Sequence, residues 1–212
     1  MAGWTEHQGQ AVALPVHNID TDQLIPARFM STPRSEGYGQ FLLHDLRRLE
    51  SGSECPDFPL NQFPQASILI AGRNFGSGSS REAAVYALVD AGFRAVVAPS
   101  FGDIFASNAV NNGLLPALVS EADLERLTGE LNEGGGSAHI HLEHGHIIVG
   151  GSEVPFSLDN SWRTKLINGW DDIDLTLQHE LAIEKHKQDR RTTSSWVWPN
   201  AEDQNSQVNG SQ

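Results

Sequence analysis

At 212 residues, with 39% hydrophobic and 19% charged side chains, the chain can bury a sizeable core without disulfide staples, and its composition is that of a globular protein, not a membrane span. Fourteen Lys and Arg against 27 Asp and Glu leave a net charge of −13, which repels nucleic acid in the absence of a concentrated basic patch. The one cysteine, Cys55, excludes an internal disulfide, a cysteine-rich zinc site and an iron–sulfur cluster held by this chain alone.

Residues 1–10 are polar and carry neither the basic end nor the apolar stretch of a secretory signal, so they are read as flexible and the chain as cytoplasmic. Between 66 and 119 apolar runs alternate with glycine-bounded helix formers, the pattern of βαβ units around a buried sheet. Residues 67–71 predict a strand, and after the loop 72–78 the segment 81–89 predicts a helix from its i, i+3, i+4 apolar spacing, stopped by Gly92. Residues 95–98 predict the next strand. A short helix near 104–111 is closed by Asn112 and Gly113 before the apolar run 114–119, and Ser120 with Asp123 opens another helix with a capping signature.

From 138 to 158 the pattern changes to β, with His144-Gly145 and Gly150-Gly151 as breaks. Alternate residues of a strand face one side, so two of the histidines in 139–146 can share an ion. The same alternation, with Ile140, Leu142 and Ile147 inward, describes an ordinary half-buried hairpin, and with no third ligand in view no metal ligand is assigned. Helices are predicted near 162–167 and over 173–183, the second running into a charged end near Arg191. The tail 192–212, rich in Ser, Asn, Gln and Gly, is expected to be disordered, which leaves 11–191 as one domain. Within that tail Trp196-Val197-Trp198 is expected to pack back on the chain.

The most informative segment is the strand-to-helix turn Asn74-Phe75-Gly76-Ser77-Gly78-Ser79-Ser80-Arg81-Glu82. Two hydroxyls and a guanidinium beside a helix N-terminus suit an anion: free backbone N–H groups and the positive dipole end attract it, and Arg81 can grip a carboxylate through two parallel hydrogen bonds. The dinucleotide, phosphate-loop and hydrolase-elbow patterns each fail by a decisive residue; the first needs glycine where Arg81 stands, the last where Glu82 stands. A plain helix-capping turn is the bland reading.

Gly78-Ser79-Ser80-Arg81-Glu82 does not stand alone. Upstream lies Asn18-Ile19-Asp20-Thr21-Asp22-Gln23-Leu24-Ile25-Pro26-Ala27-Arg28-Phe29; downstream lie Ala98-Pro99-Ser100-Phe101-Gly102-Asp103-Ile104-Phe105 and Asn112-Gly113-Leu114-Leu115-Pro116. Together, over about residues 12–181, they resemble the small subunits of 3-isopropylmalate dehydratase, a family grouped with the aconitases. The resemblance implies an α/β fold, the aconitase-type swivelling β/β/α domain with a mainly parallel core sheet flanked by helices. It implies a hydro-lyase of leucine biosynthesis that isomerises 2-isopropylmalate to 3-isopropylmalate by dehydration and rehydration. It also implies a large-subunit partner carrying a [4Fe-4S] cluster, a small dicarboxylate substrate, and no cofactor in this chain.

By position, the resemblance makes Ser79 the catalytic base and Ser80, Arg81 and Asp22 substrate-binding, while Asp20 and Thr21 fix the turn. Gln23 stands where aconitases have histidine, Ser77 where family members often have cysteine, and Ala83 where they often have histidine. Neither Arg28 nor Arg34 is assigned to a second carboxylate, and the substrate-selecting loop is expected at 35–39. Three alternatives remain open from the residues: a related hydro-lyase acting on homoaconitate or a methylmalate-type substrate, a serine hydrolase using Ser79 or Ser80, and an anion-binding module without chemistry.

Overall fold

A computed structural model describes residues 2–131 and 133–198. They form two compact units that divide between Asp171 and Asp172. In chain order the first unit contains β1 (Glu6–Leu14), α1 (Thr21–Leu24), α2 (His44–Arg47), α3 (Pro59–Gln62), β2 (Ala66–Ala71), α4 (Glu82–Asp90), β3 (Ala95–Ala98), α5 (Asp103–Asn111), β4 (Leu115–Leu118), α6 (Glu121–Gly129), β5 (Gly135–His141), β6 (His146–Val149), β7 (Ser152–Pro155) and α7 (Asn160–Asn168).

Among the described residues seven strands make one sheet in the order β4-β3-β2-β1-β5-β6-β7. The half from β4 to β1 is parallel and the half from β1 to β7 is antiparallel. The expected parallel core flanked by helices is present, extended by a hairpin meander. Crossover connections explain the split: α4 and α5 return the chain to a parallel start, whereas two tight glycine turns after β5 and β6 permit only antiparallel pairing.

Because side chains alternate along a strand, the parallel half buries both faces. Val12, Leu14, Leu69, Ala71, Val96 and Ala98 pack on one side with Ala84, Ala87 and Leu88 of α4. Ala11, Ala13, Ile68, Ile70, Ala95 and Val97 pack on the other with Leu124 and Leu127 of α6 and Leu166 of α7. Each fully buried Leu or Ile contributes about 1.5–3 kcal/mol, so β2, with Ile68, Leu69 and Ile70 all inaccessible, anchors the floor from which the next loop rises.

Three expectations are corrected. Residues 6–10, read as flexible, continue β1, because their backbone pairs with β5 from Glu6↔His141 onward. The predicted helix 173–183 is two helices, α8 (Asp172–Leu177) and α9 (Glu180–Thr193). The break falls where the His179 amide folds back on the Thr176 carbonyl at 3.0 Å. Neither helix buries a residue, and Leu181 is 90% exposed, which is why the first unit closes at Asp171 and not at 191. In the tail, Thr192 and Thr193 end α9, Trp196 is exposed rather than packed back, and Arg191 stacks on Trp198. The remainder of that expectation, 199–212, lies outside the described residues.

Candidate active site

Three loops leave the carboxyl ends of the adjacent parallel strands β1, β2 and β3, the place where open α/β sheets form ligand crevices. The loop after β2 runs between the other two and extends the sheet past its rim. Its Gly76 N–H donates to the Ile19 carbonyl at 2.7 Å, and its Ser77 carbonyl accepts from Thr21 N–H at 2.9 Å. On the other flank Phe75 N–H donates to the Ser100 carbonyl at 3.0 Å, and Gly102 N–H donates to the Phe75 carbonyl at 2.9 Å. Asn18 and Asn74 both take left-handed φ of 59°, and Asn74 Nδ2 donates to Asn18 Oδ1 at 2.9 Å, the local use of short amide side chains that this conformation favours. Gly76, at φ +69°, has no room for a side chain: a Cβ there would run into the Phe105 ring.

This tie brings the sequence-predicted residues together. Ser79 and Ser80 are exposed. Arg81 Nη1 donates to Asp22 Oδ1 across the gap between the loops, with side chains 24% and 56% exposed respectively. Asp22 rides on α1, whose start is fixed by a reciprocal capping box between Asp20 and Gln23. Thr21, 1% exposed, points the other way: its Oγ1 lies 3.0 Å from the Ser79 carbonyl oxygen and 3.2 Å from Ser79 Oγ.

The serines do not cap α4. Arg81 is the N-cap and makes no side-chain cap bond, so Ser79 and Ser80 stand just outside the helix as exposed residues, the Ser79 hydroxyl turned toward Thr21. Glu82, first residue of α4, accepts from Asn112 Nδ2 at 2.9 Å, and burial, then its bond to Glu82, raises the Tyr86 hydroxyl pKa. The two unassigned arginines are engaged elsewhere. Arg28 forks onto Asp45, whose carboxyl it pulls down to about 2 with help from His44, and Arg34 stacks 3.5 Å over Tyr86 beside Asp90.

The arrangement has two capacities. A guanidinium held by one carboxylate oxygen keeps further N–H donors for an incoming carboxylate, and an exposed pair of this kind is worth under about 1 kcal/mol, so a substrate carboxylate can share or displace it. A serine hydroxyl beside a buried hydroxyl donor can hold or release a proton once water is excluded. Ser79 Oγ lies 3.2 Å from Thr21 Oγ1, a hydroxyl and not the imidazole that a serine nucleophile pairs with, so this contact does not favour Ser79 as the nucleophile of a serine hydrolase. Thr21 is the residue that sequence reasoning underrated; its place beside Asp22 signalled only a turn.

Comparison with known proteins identifies the family. Residues 1–122 match the aconitase C-terminal domain family. The chain is 47% identical to a 3-isopropylmalate dehydratase small subunit of Shouchella clausii, over 85% of this chain and 93% of that protein. It is 47% identical to one of Shewanella denitrificans over 88% of this chain and 96% of that protein. A crystal structure of 3-isopropylmalate dehydratase from Methanocaldococcus jannaschii superposes with a TM-score of 0.62 at 25% identity, over 85% of this chain and 99% of that one.

Proposed function

Since the chain belongs to the family of 3-isopropylmalate dehydratase small subunits, we propose that it supplies the proton-moving and carboxylate-binding half of a hydro-lyase site that interconverts 2-isopropylmalate and 3-isopropylmalate. The observation that carries this is the row of exposed Ser79 and Ser80 and half-buried Arg81 on a rigidly tied loop. Residues built to work inside a dry pocket are open to solvent here, so a second surface must cover them.

That surface is the large subunit. The chain's one cysteine does not fit the ligand set of an iron–sulfur cluster, so the cluster belongs to the partner, where it supplies Lewis-acid chemistry for the substrate hydroxyl. On this chain Arg81 binds a substrate carboxylate, with Asp22 as the positioning residue that holds the guanidinium; a second carboxylate contacting the dianion directly would repel it. Ser80 adds a neutral hydroxyl donor. Ser79 Oγ takes the proton from the carbon next to that carboxylate and returns it to the neighbouring carbon on rehydration, so no proton is consumed over the cycle. Loop backbone N–H groups, Arg81 and Thr21 stabilise the alkoxide. No described helix is long and apolar enough to cross a membrane.

The test is a pair of substitutions in the reconstituted two-subunit complex. Ser79→Ala should lower kcat by roughly 10²–10⁴-fold, the range of a lost acid–base group, while co-purification with the large subunit is retained. Arg81→Lys should chiefly raise KM, because the two-pronged grip is lost. Wild-type turnover by the Ser79→Ala complex would refute the assignment.

A further inference from the structure

We propose that Glu6, His139 and His141 form a binding site for a divalent transition metal of the zinc type on the antiparallel half of the sheet. In the β1–β5 ladder Glu6 is directly opposite His141, and His139 stands two residues earlier on the same face. The carboxylate straddles the two rings: Glu6 Oε1 lies 3.3 Å from His141 Nδ1, and Glu6 Oε2 lies 3.4 Å from His139 Nε2. One potential ligand atom from each residue falls within 4.8 Å of the others.

The spacing is the argument. Bonds of about 2.0–2.2 Å from zinc to imidazole nitrogen and carboxylate oxygen give tetrahedral edges of about 3.3–3.5 Å between ligand atoms. Each imidazole nitrogen lies about one such edge from its own oxygen of Glu6, and with one ligand atom taken from each residue the three lie within 4.8 Å of one another, so side-chain rotation alone would bring them onto a common ion. The His139 and His141 rings are 4.0 Å apart, and His146, opposite His141 on β6, brings a third imidazole 4.5 Å from the His141 ring. A water completes the shell, since His146 Nε2 faces Glu153 Oε1 at 3.6 Å. Two imidazoles with one carboxylate suit zinc, cobalt, nickel or copper better than calcium or magnesium.

Cost and access also favour the site. All three residues sit on paired strands, so little backbone ordering remains to be done on binding; the histidines are half-buried and Glu6 is exposed, which leaves a path for the ion. The net charge of −13 raises the local cation concentration. The histidine run alone offers only alternate residues of one strand; the third ligand comes from the polar start of β1, which the ion would fasten to β5.

The full chain, stripped with chelator and dialysed, is titrated with zinc by calorimetry and with cobalt by visible absorption. One equivalent of zinc should bind saturably and raise Tm, and cobalt should give the intense visible bands of a four-coordinate site. Glu6→Gln and His141→Ala should each weaken zinc binding at least about tenfold while far-ultraviolet circular dichroism is unchanged, and His186→Ala on α9 should bind as the parent does. Absence of saturable one-equivalent binding, or variants Glu6→Gln and His141→Ala that bind zinc like the parent, would overturn the site.

Discussion

A single buried hydroxyl can set the behaviour of an exposed one. Thr21 carries one hydroxyl hydrogen and lies between two Ser79 oxygens, the carbonyl at 3.0 Å and Oγ at 3.2 Å. When Ser79 holds its proton, Thr21 donates to the carbonyl and accepts from Ser79. On the proposed role of Ser79 as base, the same hydrogen would turn to the alkoxide and stabilise it once Ser79 has lost its proton. Thr21→Val keeps the shape and removes the switch, so kcat of the reconstituted complex should fall about tenfold, equivalent to ~1.4 kcal/mol of barrier, with KM little changed. A stability loss of about 0.5–1.5 kcal/mol, that of a lost hydrogen bond, should accompany it in denaturant melts, because the Ser79 carbonyl still accepts from Arg81 N–H at 2.8 Å. Equal losses in kcat and in 1/KM would instead mark Thr21 as a support for the whole loop. Ser79, Ser80 and Arg81 were readable from the sequence because their order is itself the signal. Thr21 was not, since its role depends on a contact spanning 58 residues of chain.

At the scale of elements, the loop after β2 is held by its neighbours more than by its own helix. Gly76 shows where the tolerance is least: it combines a positive φ with a phenyl ring where its side chain would go, whereas Gly92, at φ +97°, has nothing within 4 Å of a built Cβ. Gly76→Ala should therefore cost about 2–4 kcal/mol, backbone strain plus overpacking, and Gly92→Ala about 1–2 kcal/mol from strain alone. Paired urea midpoints check the difference, and equal midpoints would contradict the packing described for Phe105. Periodicity made β2, α4, β3, α5 and α6 legible, because each buries a regular face bounded by a glycine, a turn or the Ser120 cap. The outer part of β1 was hidden, since its ordering comes from pairing with a strand more than a hundred residues away. The break between α8 and α9 was hidden too, because apolar spacing alone promised burial that neither helix has.

For the whole molecule, the central claim is one of incompleteness. The parallel half of the sheet presents a loop carrying Ser79, Ser80 and Arg81, the groups to which the proposed function gives the proton and the carboxylate, and on that proposal a chain with one cysteine relies on another polypeptide for the cluster. The relatives are named as small subunits, and the proposed function takes the corresponding large subunit as the partner. The sharpest measurement is turnover of 2-isopropylmalate under anaerobic conditions by this chain, by the iron–sulfur large subunit, and by their mixture. The mixture alone should produce 3-isopropylmalate, with activity saturating as the two chains reach stoichiometric ratio. Turnover by this chain without the partner, or an inactive mixture in which the large subunit's cluster is intact, would contradict the account.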